Sequence, residues 1–269
     1  MSYVVLTARE REELLEIFFR LRRTGEANPV AREEAMTALR CLKAVHSNAI
    51  EDKRVDRIFL QVLLHRAGVP DKSLISPYYQ NAAAELQGQE GLLRSLETYA
   101  ADRVELSISL LLEMHGKMFS ESSPETAGQF RTHDVRITDM AHRPCHHSQI
   151  EQLLYQKFAD INAKLYAIEA ITPHNFVDVL QLSSEAHYIV AAVHPFGDGN
   201  GRIARAIGDY VMLTHDYYYD VIMTDYKNVY LDALSACSFG DTKPMLSFLE
   251  FSYLETLRRI SGFFQLIGK

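Results

Sequence analysis

The stretch AHYIVAAVHPFGDGNGRIAR, residues 186–205, joins a continuous apolar segment to a glycine-rich segment that opens another helix. The apolar part, residues 186–193, offers no polar face, which predicts a helix buried on all sides. Pro195 cannot continue that helix and disfavours helical backbone at the residue before it, so we expect His194 at the mouth of a loop. The stretch therefore predicts two helices joined by a loop that concentrates charged and flexible residues.

Helical spacing of apolar residues continues on both sides of this stretch. A capping-box pattern at residues 7–10 predicts a first helix, which glycine and proline end near residues 25–29. Alternation of Val135 and Ile137 with polar residues predicts a short β-hairpin. The chain is thus predicted to be all-α with one short hairpin. Residues 69–90 are predicted to be loop with some helix, and a long helical segment that includes residues 106–114 follows. Further helices are predicted at about 32–48, 53–67, from 148, from 173, 226–237 and 245–264.

Composition narrows the class of protein. The chain has 269 residues, 47% of them apolar, and carries 28 basic against 35 acidic residues for a net charge of -7. No basic patch of the kind that binds nucleic acid is evident, and no window has the roughly 20 apolar residues of a membrane span. Three widely spaced cysteines and no visible signal peptide predict a cytoplasmic protein. We divide it into an N-terminal helical region, residues 1–90, and a second domain, residues 91–269.

The glycine-rich loop has the composition of a phosphate site. Glycines allow close approach of a ligand, and the backbone amides at the start of a helix attract anions. Arg202 and Arg205 lie three residues apart, so they share one helix face and can clamp more than one phosphate. Asp198 among these positive groups suits a divalent cation such as Mg²⁺ bridging phosphates. His194, neutral near pH 7, can act as a base. The alternative is a plain helix-connecting turn with solvated arginines.

These residues resemble a known family. The stretch from residue 194 to 205 is similar to the pattern HPFx(D/E)GNGRxxR of Fic-domain proteins and matches at every fixed position. The resemblance extends over roughly residues 91–257, and GQFRTHDVRI, residues 128–137, resembles the segment that builds the family's hairpin flap. It implies a helical Fic bundle that transfers AMP from ATP to a side-chain hydroxyl of a target protein.

The resemblance also implies a role for each residue of the motif. His194 would take the proton of the acceptor hydroxyl, and Asp198 would hold Mg²⁺. Phe196 belongs to the same nucleotide loop, where we expect it to anchor the loop on the core. Arg202 would contact the β-phosphate and Arg205 the γ-phosphate. The group that would cradle the α-phosphate comprises Gly199, Asn200 and Gly201. Related Doc toxins have lysine at the place of Gly201, so glycine there favours AMP transfer.

A second stretch concerns control. SNAIED, residues 47–52, resembles the family's inhibitory motif (S/T)xxxE(G/N), with Ser47 and Glu51 matching and Asp52 departing from it. The resemblance implies that Glu51 pairs with Arg205 and takes the charge that a γ-phosphate would use. Its place ahead of the motif implies the class with an N-terminal inhibitory helix. The alternative is a surface glutamate in a charged turn.

Other candidates carry competing interpretations. The run Arg143–His147 could hold a transition metal, although solvated loop histidines are the simpler interpretation. His115 and His187 lie on apolar helix faces, where we expect satisfied core histidines. Tyr226 is expected near an adenine pocket or in the core, as is Tyr230. The three consecutive tyrosines at 217–219 are predicted to cover the edge of the domain.

Several functional alternatives stay open at this point. The same fold could work mainly as a de-adenylylating hydrolase, or it could transfer another group such as UMP or phosphocholine. It could also be a nucleotide-binding interaction module without turnover. For a transferase the predicted partners are ATP and a target protein with an acceptor Ser, Thr or Tyr. That target would dock as an extended segment along Val135 and Ile137. A homodimer is possible by the resemblance.

Overall fold

The computed structural model describes residues 4–51, 77–137 and 143–267 as a bundle of helices. Short 3₁₀ turns precede the fifth and eighth helices. The described residues contain no β-sheet, so the prediction of an all-α fold is confirmed. The α-helices in these ranges are α1 Ala8–Ala27, α2 Pro29–Glu51, α3 Pro77–Ala101, α4 Ile108–Phe119, α5 Ile150–Ala167, α6 Phe176–Val193, α7 Asn200–Leu213, α8 Lys227–Ser235 and α9 Lys243–Ile267.

The helix ends follow the local signals in the sequence. Thr7 caps α1, because its hydroxyl accepts from the amide of Glu10 while the Glu10 carboxylate accepts from the amide of Thr7 at 2.8 Å. Ser107 caps α4 by accepting from the amide of Leu110. Both contacts satisfy amides that a helix start leaves without an internal partner. The helix predicted from residue 53 lies outside the described residues, as does Asp52.

Helix α6 forms the centre of the bundle. It packs most extensively against α7, and also against α5 and α9. Nearly every side chain from Val179 to Val193 is buried, which confirms the helix predicted to be buried on all sides. Helix α2 packs against α3, α7 and α9, so the N-terminal part of the chain reaches the helix that opens at the glycine-rich loop. Among the described residues, no helix is both long and apolar enough to cross a membrane.

The segment predicted as a hairpin has no assigned strand in its described parts. Residues 129–137 and 143–146 are irregular, and 138–142 lie outside the described residues. The two described arms are held together by side-chain contacts, because Asp134 accepts a hydrogen bond from the amide of His147 at 2.9 Å. The hairpin itself stays a prediction, and we call residues 129–147 the flap.

One prediction about the core was wrong. The tyrosines at 217–219 do not cover an edge of the domain, since all three are completely buried. Each hydroxyl reaches a backbone carbonyl: Tyr217 donates to Phe176, and Tyr219 donates to Leu93 at 2.6 Å. Tyrosine can enter a core when its hydroxyl finds such a partner, so three polar-tipped residues in a row need not mark a surface. The division at residue 90 stays a prediction, and α3 runs across it without a break.

Candidate active site

His194 ends α6 and stands at the mouth of the loop, as predicted. Its backbone is left-handed, with φ 52° and ψ 59°, which turns the chain out of the helix. The ring Nδ1 lies 3.3 Å from the carbonyl oxygen of Ala191, so we assign the ring hydrogen to Nδ1 and the free lone pair to Nε2. Burial lowers the pKa of His194 below 6.5; the Ala191 contact opposes this, and the Arg131 charge adds to it. His194 is therefore neutral at pH 7.

Arg131 fixes the backbone around His194. Its side chain is fully buried, and Nε donates to the carbonyl of His194 at 2.8 Å. The two terminal nitrogens donate to the carbonyls of His133 at 2.7 Å and Cys145 at 2.6 Å. The Arg131 amide also donates to Pro195 at 2.9 Å. One guanidinium thus ties both arms of the flap to the end of α6, because its planar fork supplies donors in several directions at once.

Phe196 anchors the loop on the core, as predicted. It is completely buried and stacks on the ring of His115, with the ring centroids 3.8 Å apart. His115 Nδ1 accepts from the amide of Gly128 at 3.0 Å, so its Nε2 donates to the carbonyl of Asp198 at 3.2 Å. Burial lowers the pKa of His115 to about 4. His115 is therefore a neutral core histidine, as expected, and it holds the glycine-rich loop in place.

Asn200 braces the same loop from inside. Its side chain is buried; Oδ1 accepts from the amide of Phe196 and Nδ2 donates to the carbonyl of Phe196, both at 2.9 Å. Gly199 is left-handed with φ 77°, and a Cβ there would lie 2.3 Å from the ring of Phe119. Only glycine fits this turn without a clash. Asn200 Nδ2 retains a second hydrogen, so it and the backbone amides at the start of α7 are both donors toward a phosphate, and the role of Asn200 there stays a prediction.

Arg205 is buried and contacts helix α2. Its Nε donates to Ser47 Oγ at 2.9 Å, and Nη2 donates to the Ser47 carbonyl at 3.0 Å and to Glu51 Oε1 at 2.7 Å. The guanidinium also lies over the ring of Tyr230, 5.9 Å from its centroid. Burial acts to raise the pKa of Glu51, but the Arg205 charge and hydrogen bond outweigh it, so the net shift is downward. Glu51 is therefore ionised at pH 7 and paired with Arg205.

Arg202 is also buried and is held by three polar side chains. Nη1 donates to Asn48 Oδ1 at 3.2 Å and to a carboxylate oxygen of Glu85, and Nη2 lies 3.4 Å from Asp198 Oδ2. Its guanidinium stands 4.7 Å from the ring centroid of Phe119, within range of a cation–π contact. Asn48 lies on α2 and Glu85 on α3. Both motif arginines are thus engaged by the N-terminal helices.

His194, Gly201 and Arg205 border one cleft beside the start of α7. Its volume is about 180 Å³, below the roughly 300–1,000 Å³ of typical ligand sites. Glu51 lies in this cleft and directly against Gly201, since a Cβ on Gly201 would lie 2.3 Å from Glu51 Oε1. A carboxylate therefore occupies the positive end of α7, where an anion is favoured. The cleft is lined by Ile50, Glu51, Ile137, Ala191, His194, Gly201, Arg205, Lys227, Tyr230, Leu231 and Leu234.

Comparison with known protein families agrees with this geometry. The model of the Fic/DOC family matches residues 105–212, a range that holds the flap, α6, the loop and nearly all of α7. Residues 105–212 belong to the Fic/DOC family. The match includes His194, both motif arginines and the glycine-rich loop, but not Ser47 or Glu51, which lie N-terminal to it.

Curated relatives carry the same domain at moderate identity. Protein adenylyltransferase fic-1 of Caenorhabditis elegans is 26% identical over 183 residues, 66% of this chain and 34% of that protein. Protein adenylyltransferase Fic of Nematostella vectensis is 23% identical over 206 residues, 76% of this chain and 44% of that protein. The chain therefore spans less than half the length of these relatives.

Solved structures of Fic proteins share the fold. A Fic domain containing signaling protein from Bacteroides thetaiotaomicron superposes with a TM-score of 0.76 at 17% identity, over 91% of this chain and 95% of that one. Fic-1 from C. elegans, residues 134–508, superposes with a TM-score of 0.71 at 22% identity, over 96% of this chain and 74% of that one. The similarity covers the N-terminal helices as well as the Fic domain.

The flap residues of this Fic domain lie close to the cleft. Ile137 is half-buried and borders the cleft together with His194 and Glu51. Val135 is half-buried two residues earlier. Residues 138–142, which follow, lie outside the described residues. The role of Val135 and Ile137 in docking an extended target stays a prediction.

The histidine-rich arm of the flap has an unforeseen partner. Asp134, on the other arm, lies 3.1 Å from His147 Nδ1 and 3.6 Å from His146 Nε2. All three residues have substantially exposed side chains, and hydrogen bonds with His147 lower the pKa of Asp134. Asp134 Oδ1 already accepts from the backbone and ring of His147, so the cluster joins the two arms through hydrogen bonds.

The aromatic and histidine candidates behind the cleft form a packed layer. His187 is buried and its Nε2 lies 2.8 Å from the hydroxyl of Tyr230, so it is a satisfied core histidine as expected. Tyr230 is buried against Arg205 and also borders the cleft. Tyr226 packs its ring edge-on against Phe251. A part for either tyrosine in an adenine pocket stays a prediction.

Three side chains that contact the motif were not predicted from the sequence. Arg131 stands in the flap segment, and nothing local distinguishes it from its exposed neighbour Arg136. Glu85 and Asn48 belong to helices far from the motif in sequence, 117 and 154 residues before Arg202. A polar residue inside the buried run of α2 was the available signal for Asn48, since buried amides need partners.

Proposed function

We propose that this chain transfers AMP from ATP to a hydroxyl of a target protein and that Glu51 restrains the reaction. One observation carries the proposal: a neutral histidine, the amide-lined start of α7 and buried Arg205 meet at one cleft, and buried Arg202 lies on the same helix. A base, an anion site and two cations are the parts that phosphoryl transfer requires. The names of the relatives, protein adenylyltransferases, support AMP as the transferred group.

The reaction would be an in-line displacement at the α-phosphorus. His194 Nε2 accepts the proton of the acceptor hydroxyl as its oxygen bonds to phosphorus, and the bond to the β-phosphate breaks to release pyrophosphate. The amides at the start of α7 would bind the α-phosphate oxygens. Arg202 and Arg205 would bind the β- and γ-phosphates, which places the leaving group. These groups lower the barrier mainly by positioning and by stabilising charge.

Asp198 is the residue suited to hold Mg²⁺ in this site. Its side chain is 84% exposed at the loop, and Oδ1 accepts from the amide of Gly199 at 2.7 Å, which fixes its direction. A hard cation prefers one or two carboxylates together with phosphate oxygens. Bound Mg²⁺ would supply charge neutralisation on the phosphates. Gly201, in place of the lysine of Doc toxins, would leave room for ATP on this side of the loop once Glu51 has moved away.

Control would come from the carboxylate of Glu51. This carboxylate accepts a hydrogen bond from Nη2 of Arg205 and lies against Gly201. Its negative charge therefore disfavours a phosphate both at Arg205 and at the start of α7. A charge-assisted hydrogen bond contributes roughly 1.5–3 kcal/mol when well shielded. Glu51 is 38% exposed, and solvent screening reduces that figure. We expect ATP to bind in a nonproductive pose until Glu51 leaves.

A hydrolase that removes AMP from a target is the second candidate. Glu51 is ionised and shares the cleft with His194, so it could also orient and deprotonate water. The two functions separate on one variant, because Glu51→Gly would abolish hydrolysis but raise transfer. The cytoplasmic location, the Ser, Thr or Tyr acceptor and a homodimer remain predictions.

Intact-mass spectrometry after incubation with ATP and Mg²⁺ tests the proposal. We would compare wild type, Glu51→Gly, and Glu51→Gly combined with His194→Ala, each alone and with a cell lysate containing labelled ATP. AMP on the protein or a lysate protein, gained with Glu51→Gly and lost with His194→Ala, is the expected result. Removing a general base should lower the rate by about 10²–10⁴-fold. Labelling that survives His194→Ala would contradict the mechanism, and strong labelling by wild type would contradict the restraint.

A further inference from the structure

The surroundings of Arg202 contain a carboxylate that the motif does not predict. Glu85, on α3, accepts from Nη1 of Arg202, and its side chain is 27% exposed while that of Arg202 is only 4% exposed. Asn48 contacts the same nitrogen, and Asp198 lies near the other one. The third nitrogen, Nε, has no hydrogen-bond partner among the described residues. The terminal nitrogens, which would bind a phosphate, are therefore occupied.

The partners of Arg202 differ in their freedom to leave it. Asn48 is buried and fixed, because its Nδ2 donates both to the Ala44 carbonyl at 2.9 Å and to Gln89 Oε1 at 2.6 Å. The side chain of Glu85 is partly exposed, so its carboxylate can turn into solvent. Asp198 is largely exposed and is the expected magnesium ligand. Glu85 is thus the partner whose departure opens Arg202 to another anion.

We infer that Glu85 is a second restraining carboxylate, which competes with the β-phosphate of ATP for Arg202 as Glu51 competes with the γ-phosphate for Arg205. The inference rests on the proposed function, which assigns Arg202 to the β-phosphate. A carboxylate and a phosphate on the same terminal nitrogen would bring two negative charges together in a partly buried site, which is unfavourable. Nucleotide entry therefore requires Glu85 to turn away, and in Glu51→Gly the β-phosphate still has to displace Glu85 from Arg202.

Calorimetric titration with ADP, and separately with AMP, tests this inference without relying on turnover. ADP carries a β-phosphate and AMP does not, so Glu85→Gln should tighten ADP binding about fivefold to tenfold and leave AMP binding unchanged. Glu85→Asp, which is one methylene too short to reach Arg202, should act in the same direction. Glu90→Gln is the matched control, because Glu90 lies on the same helix and pairs with Arg94 on the surface. Thermal unfolding of each variant checks the fold.

The outcomes separate this inference from the proposed function. Unchanged or weaker ADP binding with Glu85→Gln would overturn it, since Glu85 would then be a spectator or a positioning residue for Arg202. Equal tightening of AMP and ADP would also overturn it, because the effect would not involve the β-phosphate. Selective tightening of ADP without AMP transfer by any variant would support the competition and contradict the proposed function.

Discussion

Replacing Arg131 with methionine should both destabilise the protein and slow AMP transfer. Methionine keeps the apolar length of the side chain but loses donors to the carbonyls of His194, His133 and Cys145, at 2.6–2.8 Å. A buried carbonyl left without its donor costs about 1–3 kcal/mol, so losing the donors to three carbonyls should cost roughly 3–5 kcal/mol in all. For a chain of this size each kcal/mol lowers Tm by roughly 2–4 °C, so we expect a loss of roughly 6–20 °C.

The effect on catalysis follows from the position of His194 rather than from contact with substrate. Arg131 holds the left-handed end of α6 and the flap together, so its loss should lower kcat for AMP transfer in a Glu51→Gly background more than it changes KM for ATP. Arg136→Met is the matched control, because Arg136 lies in the same segment and is exposed. Differential scanning calorimetry gives Tm, and intact-mass time courses give the rate. A Tm within 2 °C of the parent protein would show that the hydrogen bonds of the buried Arg131 guanidinium do not stabilise the fold.

Two further predictions concern charge. The rate of AMP transfer by Glu51→Gly should fall at acid pH only below pH 6.5, because burial lowers the pKa of His194 and only the neutral ring accepts a proton. The negative charge of Glu51 raises that pKa, so its removal should move the fall in rate to still lower pH. An acid limb above pH 6.5 in a rate profile would contradict this. Lys43→Met should lower the free energy of unfolding by about 1–3 kcal/mol in urea titrations, because buried Asp209 loses the cation that lies 2.7 Å from it. Burial already raises the pKa of Asp209 to about 7, so the carboxyl then takes up a proton and does not stay an unpaired charge. A change below about 1 kcal/mol would show that the pair is not needed.

Local patterns predicted much of the fold and of the motif. The capping box at the start of α1 and the proline that places His194 at the end of α6 each depend on residues a few positions apart. Such contacts arise whenever the segment is helical, and so the spacing alone specifies them. The anchoring role of Phe196 followed from an apolar residue in a polar loop, and the core position of His115 followed from its place on an apolar helix face.

The arrangement of charges depends on contacts that local patterns do not encode. Ser47 and Glu51 reach Arg205 only because α2 packs against α7, and Glu85 reaches Arg202 only because α3 packs there too. The resemblance pointed to Glu51, but nothing pointed to Glu85.

The burial of the tyrosines at 217–219 also depends on contacts that local patterns do not encode. Their hydroxyls find carbonyls and other acceptors on α1 and α3 and at the start of α6, so a polar-looking run is buried. The sequence by itself determined which side chains could serve as base, anion site and cation in this protein. Only the tertiary structure decided which of them are already paired, because the free energy of a buried charge depends on partners that helix packing brings from more than a hundred residues away.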